Sequence, residues 1–541
     1  MIVAERSLIS LRIGVKNVKL EKNNELETKN MEWPTFIISA GFFILFVILC
    51  LADEELASKL IYAAHKKIVT YSGAIMQFVF LAIWLICLVI ACSKYGEVKI
   101  GGKNSVIDLK TFNWFAIILT TLLAGGGVFF SAAEPMYHFL EVPRAFGQIT
   151  PGTAEAVAPA MAQSFLHWGF LAWGAQAIGV VILVYACDFK GMPLKARTLL
   201  YPVLGEKGVL GYPGTLMDAC SLIAVAAGTI GPIGFLSLQM SYALQAIWGI
   251  PDAFASRLLV LIITTVVFTV AASTGIYRGI DFLAKWTLYL AIFMIAFVLF
   301  FGPGVFILDS FMSGMGTYIS NFFKISMYRG DHEWLGWWTA FYWPWFLSYG
   351  PTMAILLVRI SKGRTLRQLL LVVCLVGPII TNFWFSILGG AGIFMELSQP
   401  GIISGPLRSN GMPTVLLTIM QSMPAAGLLV PLSLLLVALF LVTTGAGVVY
   451  SMAIGVTGME HPYRWVRVLW GVLLGAVATF LVKIGGEKVM NSLQTFIVVA
   501  AVPLFIFYVP QLWGVFECAK KCWIIEYGSS IPPEEIPTTD E

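Results

Sequence analysis

Charge is what this 541-residue chain has least of. Asp, Glu, Lys and Arg make up 12% of it, where a soluble domain carries about a quarter. With 58% hydrophobic residues, that shortage excludes a soluble globular protein and leaves one integral to a membrane. Signatures of chemistry are also missing: there is no phosphate loop, dinucleotide fingerprint, HExxH or Ser–His–Asp pattern. The basic residues come in short runs at the edges of apolar segments, which argues against nucleic acid as a partner. The cysteines, among them Cys50, Cys87, Cys92, Cys187, Cys220 and Cys374, show no CxxC spacing and no secreted framework. They read as small apolar residues in a bilayer. No continuous apolar core lies near residue 1, so residues 1–33, with Lys16, Lys19, Lys22 and Lys29, read as a cytoplasmic tail and not as a cleavable signal.

Apolar runs of spanning length fall at roughly 34–52, 72–92, 112–133, 158–186, 215–247, 257–274, 282–308, 336–361, 367–392, 424–450, 465–484 and 492–514, about twelve helices. The run at 215–247 is too long for a straight span, and its Gly228–Gly234 piece, GTIGPIG, is expected to bend or break it. Basic residues collect in the tail, the second loop (Lys94, Lys99, Lys103, Lys110), the fourth (Lys190, Lys195, Arg197, Lys207) and the eighth (Arg359, Lys362, Arg364, Arg367). The first loop, with Lys59, Lys66 and Lys67, is the exception. The positive-inside rule and an even number of spans then put both termini in the cytoplasm. Between the seventh and eighth spans, Phe311, Tyr318, Phe322 and Phe323 alternate with small polar residues, the pattern of an amphipathic helix lying in the outer interface. Residues 394–423, rich in Pro and Gly, are expected as the longest irregular loop late in the chain, and 516–541 as a short C-terminal tail. No linker divides residues 34–515, which form one membrane domain.

The segment Trp338–Arg364 carries Trp338, Phe341, Tyr342, Trp343, Trp345, Phe346 and Tyr349 among the helix breakers Pro344, Gly350 and Pro351. It is either an aromatic packing helix or a cage whose ring faces attract a quaternary ammonium ion, at about 0.5–2 kcal/mol per contact. Five spans earlier, Gly125, Gly126 and Gly127 sit mid-span. They serve either close helix packing or an unwound segment that meets an ion or carboxylate. The spacing of the two interrupted segments fits two five-helix repeats. Glu134 is either a functional carboxylate at membrane depth or a hydrated one at the outer interface; Asp218 raises the same question, while Asp281 with Lys285, at i and i+4, reads as an interfacial salt bridge. His167, Trp168, Trp173 and Gln176 lie in the fourth span, and Phe440, Thr443 and Thr444 in the tenth. The threonine hydroxyls either bond back to their own helix or help to hold a hard cation such as Na+.

These segments resemble the betaine/carnitine/choline transporter family, most closely in FYWPW, SYGP and VRISKGR within 338–364. The likeness continues through SFLHWGFLAW (164–173), the AEP after the Gly-rich span and LVTTG in the tenth span. The resemblance implies an all-α membrane fold of about twelve helices, with two leading helices before a 5+5 inverted-repeat core whose third and eighth helices are broken. It implies alternating access, usually in a homotrimer, with a small zwitterionic or cationic substrate and membrane lipid as partners. Substrate positions fall on Trp345, Phe346, Tyr349, Trp168, Trp173 and Gln176. Ion positions fall on Thr120 and Leu123, through backbone carbonyls, and on Phe440, Thr443 and Thr444. Phe346 and Gln176 depart from the usual Trp and Tyr, implying a pocket more polar than a pure trimethylammonium cage. The position where sodium-independent antiporters carry Arg is Thr287, near Lys285.

The reading is a secondary transporter importing a betaine-, choline- or carnitine-like compound with Na+, without an organic cofactor. Backbone amides at Gly125 and Gly126 would receive a substrate carboxylate. Proton coupling and ion-independent exchange of substrate for product are the alternatives within transport. A channel would show charge rings or a repeated filter, a receptor a sizeable soluble output domain, and an enzyme a catalytic cluster.

Overall fold

The protein's structure, a computed structural model, describes residues 31–274, 281–459 and 461–528. Among these residues there is no β-strand, only an isolated bridge between Lys99 and Thr365. Ten helical segments are long and apolar enough to cross a membrane, and Thr111–Leu140 and Thr339–Ile360 complete the expected twelve. In chain order the helices used below are α1 (Trp33–Ala52), α2 (Glu54–Cys92), α3 (Thr111–Leu140), α4 (Val157–Trp168), α5 (Phe170–Leu183), α6 (Tyr212–Trp248), α7 (Phe254–Thr274) and α8 (Asp281–Phe301). They continue as α9 (Gly304–Ser326), α10 (Thr339–Ile360), α11 (Gly377–Ser398), α12 (Ala426–Thr457), α13 (Arg464–Gly485), α14 (Val489–Tyr508) and α15 (Gln511–Tyr527).

The first loop of the sequence reading is absent, because α2 begins at Glu54. Asp53 caps it by accepting the Leu56 N–H at 2.9 Å, and Glu54 and Glu55 suit the positive end of its dipole. At 39 residues and about 1.5 Å per residue, α2 is far longer than a bilayer core. Its first part buries Ala57, Ile61 and His65 at every fourth position and exposes Lys59, Lys66 and Lys67, so the polar residues taken for a loop are one face of a helix. The expected amphipathic helix is present: α9 buries Ile307, Ser310, Gly314, Tyr318, Phe322 and Ile325 and packs on α4 and α11.

The expected breaks in the third and eighth spans are not where the chain interrupts its helices. α3 runs continuously through Gly125–Gly127, and α10 through Gly350 and Pro351. Three glycines cost a helix up to about 3 kcal/mol in all. Opening a turn inside a membrane strands several backbone groups at several kcal/mol each, so the helix wins. In α10, Pro351 cannot donate to the Leu347 carbonyl, but neighbouring groups hold that turn. Ser348 Oγ donates to the Trp345 carbonyl at 2.6 Å, and Gln176 Nε2 to the Phe346 carbonyl at 2.7 Å. α6 likewise passes through Gly228–Gly234 as one helix. The interruptions fall in the second span of each five-helix set: at Gly169 between α4 and α5, and at π-helical turns over Val184–Phe189 and Val372–Val376. At Gly169 a Cβ would meet the Phe165 carbonyl at 2.2 Å.

The basic loops meet on one face together with both described ends of the chain. Ile100 and Arg364 pair through their backbones, Lys195 and Arg197 bind Glu32 just before α1, and the Lys99 amide donates to Glu526 at the end of α15. Asp218 belongs to the same network: its carboxylate takes the Arg197 Nε–H and amide, both at 2.6 Å. It is a structural ion pair. Two irregular stretches prove ordered. Within 394–423 lie the helices Ser404–Asn410 and Val415–Ser422, the latter buried from Val415 to Met420, and Glu396 gathers the amides of Gly401, Ile403 and Ser404. The tail drawn from residue 516 starts inside α15. The side chain of Asp281 and the tails at 1–30 and 529–541 lie outside the described residues.

Candidate functional site: an aromatic corner between α4 and α10

Helix periodicity places Trp345, Phe346 and Tyr349 on one side of α10. Trp168, the last residue of α4 before the Gly169 break, comes to meet them. Its ring lies 5.6 Å from Trp345 at 88° and 5.2 Å from Phe346 at 89°. Trp345 and Phe346 sit side by side, 5.8 Å apart at 32°. Two nearly aligned rings with a third perpendicular to both make adjacent sides of a box. Phe341 and Phe130 back Trp345 at 5.2 and 5.6 Å, and Phe385 backs Trp168 at 5.0 Å. Trp168 and Trp345 are each 3% exposed, while Phe346 and Tyr349 are half-buried.

A proline elsewhere in the fold fixes two of these side chains. Pro232 of α6 has no N–H to give the Gly228 carbonyl one turn earlier. That carbonyl instead accepts the Trp345 Nε1–H at 2.8 Å and the Tyr349 hydroxyl at 2.7 Å. The residues GTIGPIG, expected to bend or break the helix, serve as an anchor. Gly126 is the third contributor: a Cβ there would stand 2.5 Å from the Trp345 ring and 3.5 Å from Trp168, so only glycine lets α3 lie against the corner.

Other expected positions are placed differently. Trp173 rests on Gly377, where a Cβ would come within 2.3 Å of its ring, and among the described residues it makes no ring contact with Trp168, Trp345 or Phe346. Gln176 is buried and ties down the α10 backbone with its amide nitrogen, while its Oε1 has no hydrogen-bond partner. Because α3 is continuous, the Gly125 and Gly126 amides belong to its hydrogen-bond ladder and are not set aside for a carboxylate. Thr120 and Leu123 lie within the same helix; their side chains are outside the described residues. Phe440, Thr443 and Thr444 are half-buried on α12, which packs against α3. The Thr443 hydroxyl donates to the Leu439 carbonyl at 2.8 Å, leaving its oxygen lone pairs as potential ligands for a hard cation. Thr287 bonds back to the Leu283 carbonyl at 2.7 Å.

The sequence reading undervalued the group behind the corner. Glu134 is fully buried, not a hydrated interface residue. Its Oε2 accepts the Trp168 Nε1–H at 2.8 Å and the Tyr342 hydroxyl at 2.5 Å, and its Oε1 lies 2.6 Å from His167 Nδ1. His167 Nε2 is 3.0 Å from both Gln163 and Thr339. His138, one turn after Glu134, comes within 3.4 Å of Oε1 and was missed; its i+4 spacing from Glu134 was the available signal. The three residues offer ligand atoms within 4.8 Å of one another. The Glu134 oxygens and both His167 nitrogens are already committed to hydrogen bonds, so the cluster is a hydrogen-bonding network and not a metal centre.

Ten candidate spans and two further long helices, with a ring-lined corner between α4 and α10, form a helical frame of the kind that membrane transporters use. The comparisons agree. The model of the betaine/carnitine/choline family transporters matches residues 34–523, and the chain belongs to that family; it is a transporter and not an enzyme. It is 43% identical to glycine betaine transporter 2 of Vibrio parahaemolyticus serotype O3:K6 over 88% of each chain. It is 30% identical to a probable glycine betaine transporter of Desulfitobacterium hafniense, over 90% of this chain and 97% of that one. The ectoine/glycine betaine/proline transporter EctP of Corynebacterium glutamicum is 28% identical over 89% of this chain and 79% of its own.

Proposed function

We propose that the protein imports a small quaternary ammonium compound or related zwitterion, of the glycine betaine, choline or carnitine kind, by alternating access and coupled to Na+. The observation that carries this reading is how the corner's polar edges are spent. The Trp168 N–H goes to Glu134, and the Trp345 N–H and Tyr349 O–H go to Gly228. What remains for a ligand is π-surface. A quaternary ammonium offers no hydrogen-bond donor and is drawn to ring faces at about 0.5–2 kcal/mol each. Primary amines and hydroxylated solutes would lose more hydration on entering than ring faces can replace. Relatives named as glycine betaine and ectoine/glycine betaine/proline transporters support the same substrate class.

Na+ coupling rests on Thr443 and Thr444 of α12, packed against the glycine-bearing α3, and on Thr287 standing where an Arg would serve ion-independent exchange. The protein would work in the plasma membrane as a homotrimer, with the basic loops and both termini facing the cytoplasm. Uptake of labelled glycine betaine, choline and carnitine into proteoliposomes tests the reading. The expected result is uptake stimulated by an inward Na+ gradient, with the stimulation abolished in the Thr443→Ala/Thr444→Ala double variant. Transport of none of the three would overturn the substrate class. Uptake indifferent to Na+ would overturn the coupling.

A further inference from the structure

The geometry points to Glu134, His138 and His167 as a proton-binding site whose protonation weakens the grip of the aromatic corner on its cation. The three titratable side chains are fully buried, and each brings a nitrogen or carboxylate oxygen within 4.8 Å of those of the other two. His167 is saturated: Nδ1 faces Glu134, and Nε2 faces Gln163 and Thr339. His138 is not. Neither of its nitrogens has a hydrogen-bond partner, although Nε2 stands 3.4 Å from the Glu134 carboxylate. Burying an imidazole with both nitrogens unpaired is costly, and a proton taken up at Nε2 would be donated to Glu134 Oε1 across that gap. Because the groups are coupled, the proton belongs to the cluster and not to one residue.

The groups around His138 leave few other sources of charge. Its ring is 4.5 Å from Trp338 just before α10, 5.6 Å from Trp334 of the short helix His332–Trp337, 5.8 Å from His167 of α4 and 6.0 Å from Tyr137 of its own helix. On that short helix His332 and Glu333 are exposed, and His332 faces Arg329. Where α11 packs on the neighbouring Pro135 and Met136 it brings Gly389 and Gly392, and its Glu396 is committed to its own loop. The charge of the cluster is therefore set by Glu134, His138 and His167.

That charge reaches the corner through two rings. Glu134 Oε2 holds the Trp168 indole and the Tyr342 phenol, and Tyr342 stacks on Trp345 at 5.8 Å and on Phe346 at 6.1 Å. An anionic carboxylate at the outer edges of these rings favours a cation at their faces. A proton on the cluster cancels that charge, so acid weakens cation binding, and by linkage a bound cation expels the proton. Here Glu134 and His138 act as positioning residues. The inference rests on the reading that the corner holds the substrate cation.

The test is the KM for labelled glycine betaine in proteoliposomes at equal pH on both sides and fixed Na+. Between about pH 8 and about pH 5.5, the wild-type KM should rise about five- to tenfold, the size of ordinary coupling between linked sites. In His138→Gln, or His138→Asn should the first variant fail to fold, the profile should be flat. A flat wild-type profile, or an unchanged slope in the variant, overturns the inference while leaving the transport reading intact. Should betaine not be carried, that reading fails, and tryptophan fluorescence of the solubilised protein decides separately. A pH transition in the wild type that is lost in the variant supports the site; a transition common to both, or absent from both, overturns it.

Discussion

Successive turns in the first half of α10 carry similar rings held in different ways. Toward its start, Tyr342 is held by the ionisable carboxylate of Glu134, with Trp338 packed on His138. A turn later, Trp345 and Tyr349 are held by the neutral Gly228 carbonyl that Pro232 leaves free. Trp168 joins the two regions, its N–H on Glu134 and its ring against Trp345 and Phe346. The first region can change its charge and the second cannot. Aromatic composition alone hides this difference, since it resides in what each polar edge is bonded to.

Breaking the carboxylate end should have the largest effect. Glu134→Ala strands donors on His167, Trp168 and Tyr342 at about 1–3 kcal/mol each. Thermal unfolding in detergent should therefore show a drop in Tm larger than that of any single substitution at Gly228-bonded residues; an unchanged Tm would show that the network contributes nothing to stability. Next comes Trp345→Ala, which removes the ring that meets Trp168 at a right angle and contacts Gly126. KM for glycine betaine should rise roughly tenfold or more, the loss of one or two cation–π contacts, and an unchanged KM would move the site elsewhere. Tyr349→Phe should be the mildest. It removes one of two donors to Gly228 while Trp345 keeps the other, at a cost of about 1 kcal/mol. A KM shift equal to that of Trp345→Ala would mean that Tyr349 itself faces the ligand through its hydroxyl.

The frame was legible in the sequence, because spans of about 20 apolar residues and clusters of Lys and Arg are direct consequences of a bilayer. The aromatic run at 338–364 was legible for the same reason: rings beside helix breakers are out of place in a helix that only fills lipid. What escaped were features decided by partners far along the chain. Nothing local to Gly228 says that its carbonyl will anchor Trp345 and Tyr349; the available hint was Pro232 at i+4. Glu134 could be read as buried or hydrated, and only the approach of α4 and α10 decides it. The glycines of α3 suggested unwinding, yet Gly126 serves contact with Trp345. Lys59, Lys66 and Lys67 suggested a loop because the polar face of a protruding helix and a loop share one composition.

The central claim is that ring faces of the corner select a cation, and a neutral isostere tests it most directly. Glycine betaine and 3,3-dimethylbutanoate differ by the exchange of a quaternary nitrogen for carbon, with shape and carboxylate kept. In competition against labelled glycine betaine, the wild-type protein should bind the carbon analogue at least about tenfold more weakly, since two or more cation–π contacts are lost at once. In Trp345→Ala the gap should narrow. Equal competition by the two compounds in the wild type would mean that size and hydrophobicity fill the corner, and would contradict the account.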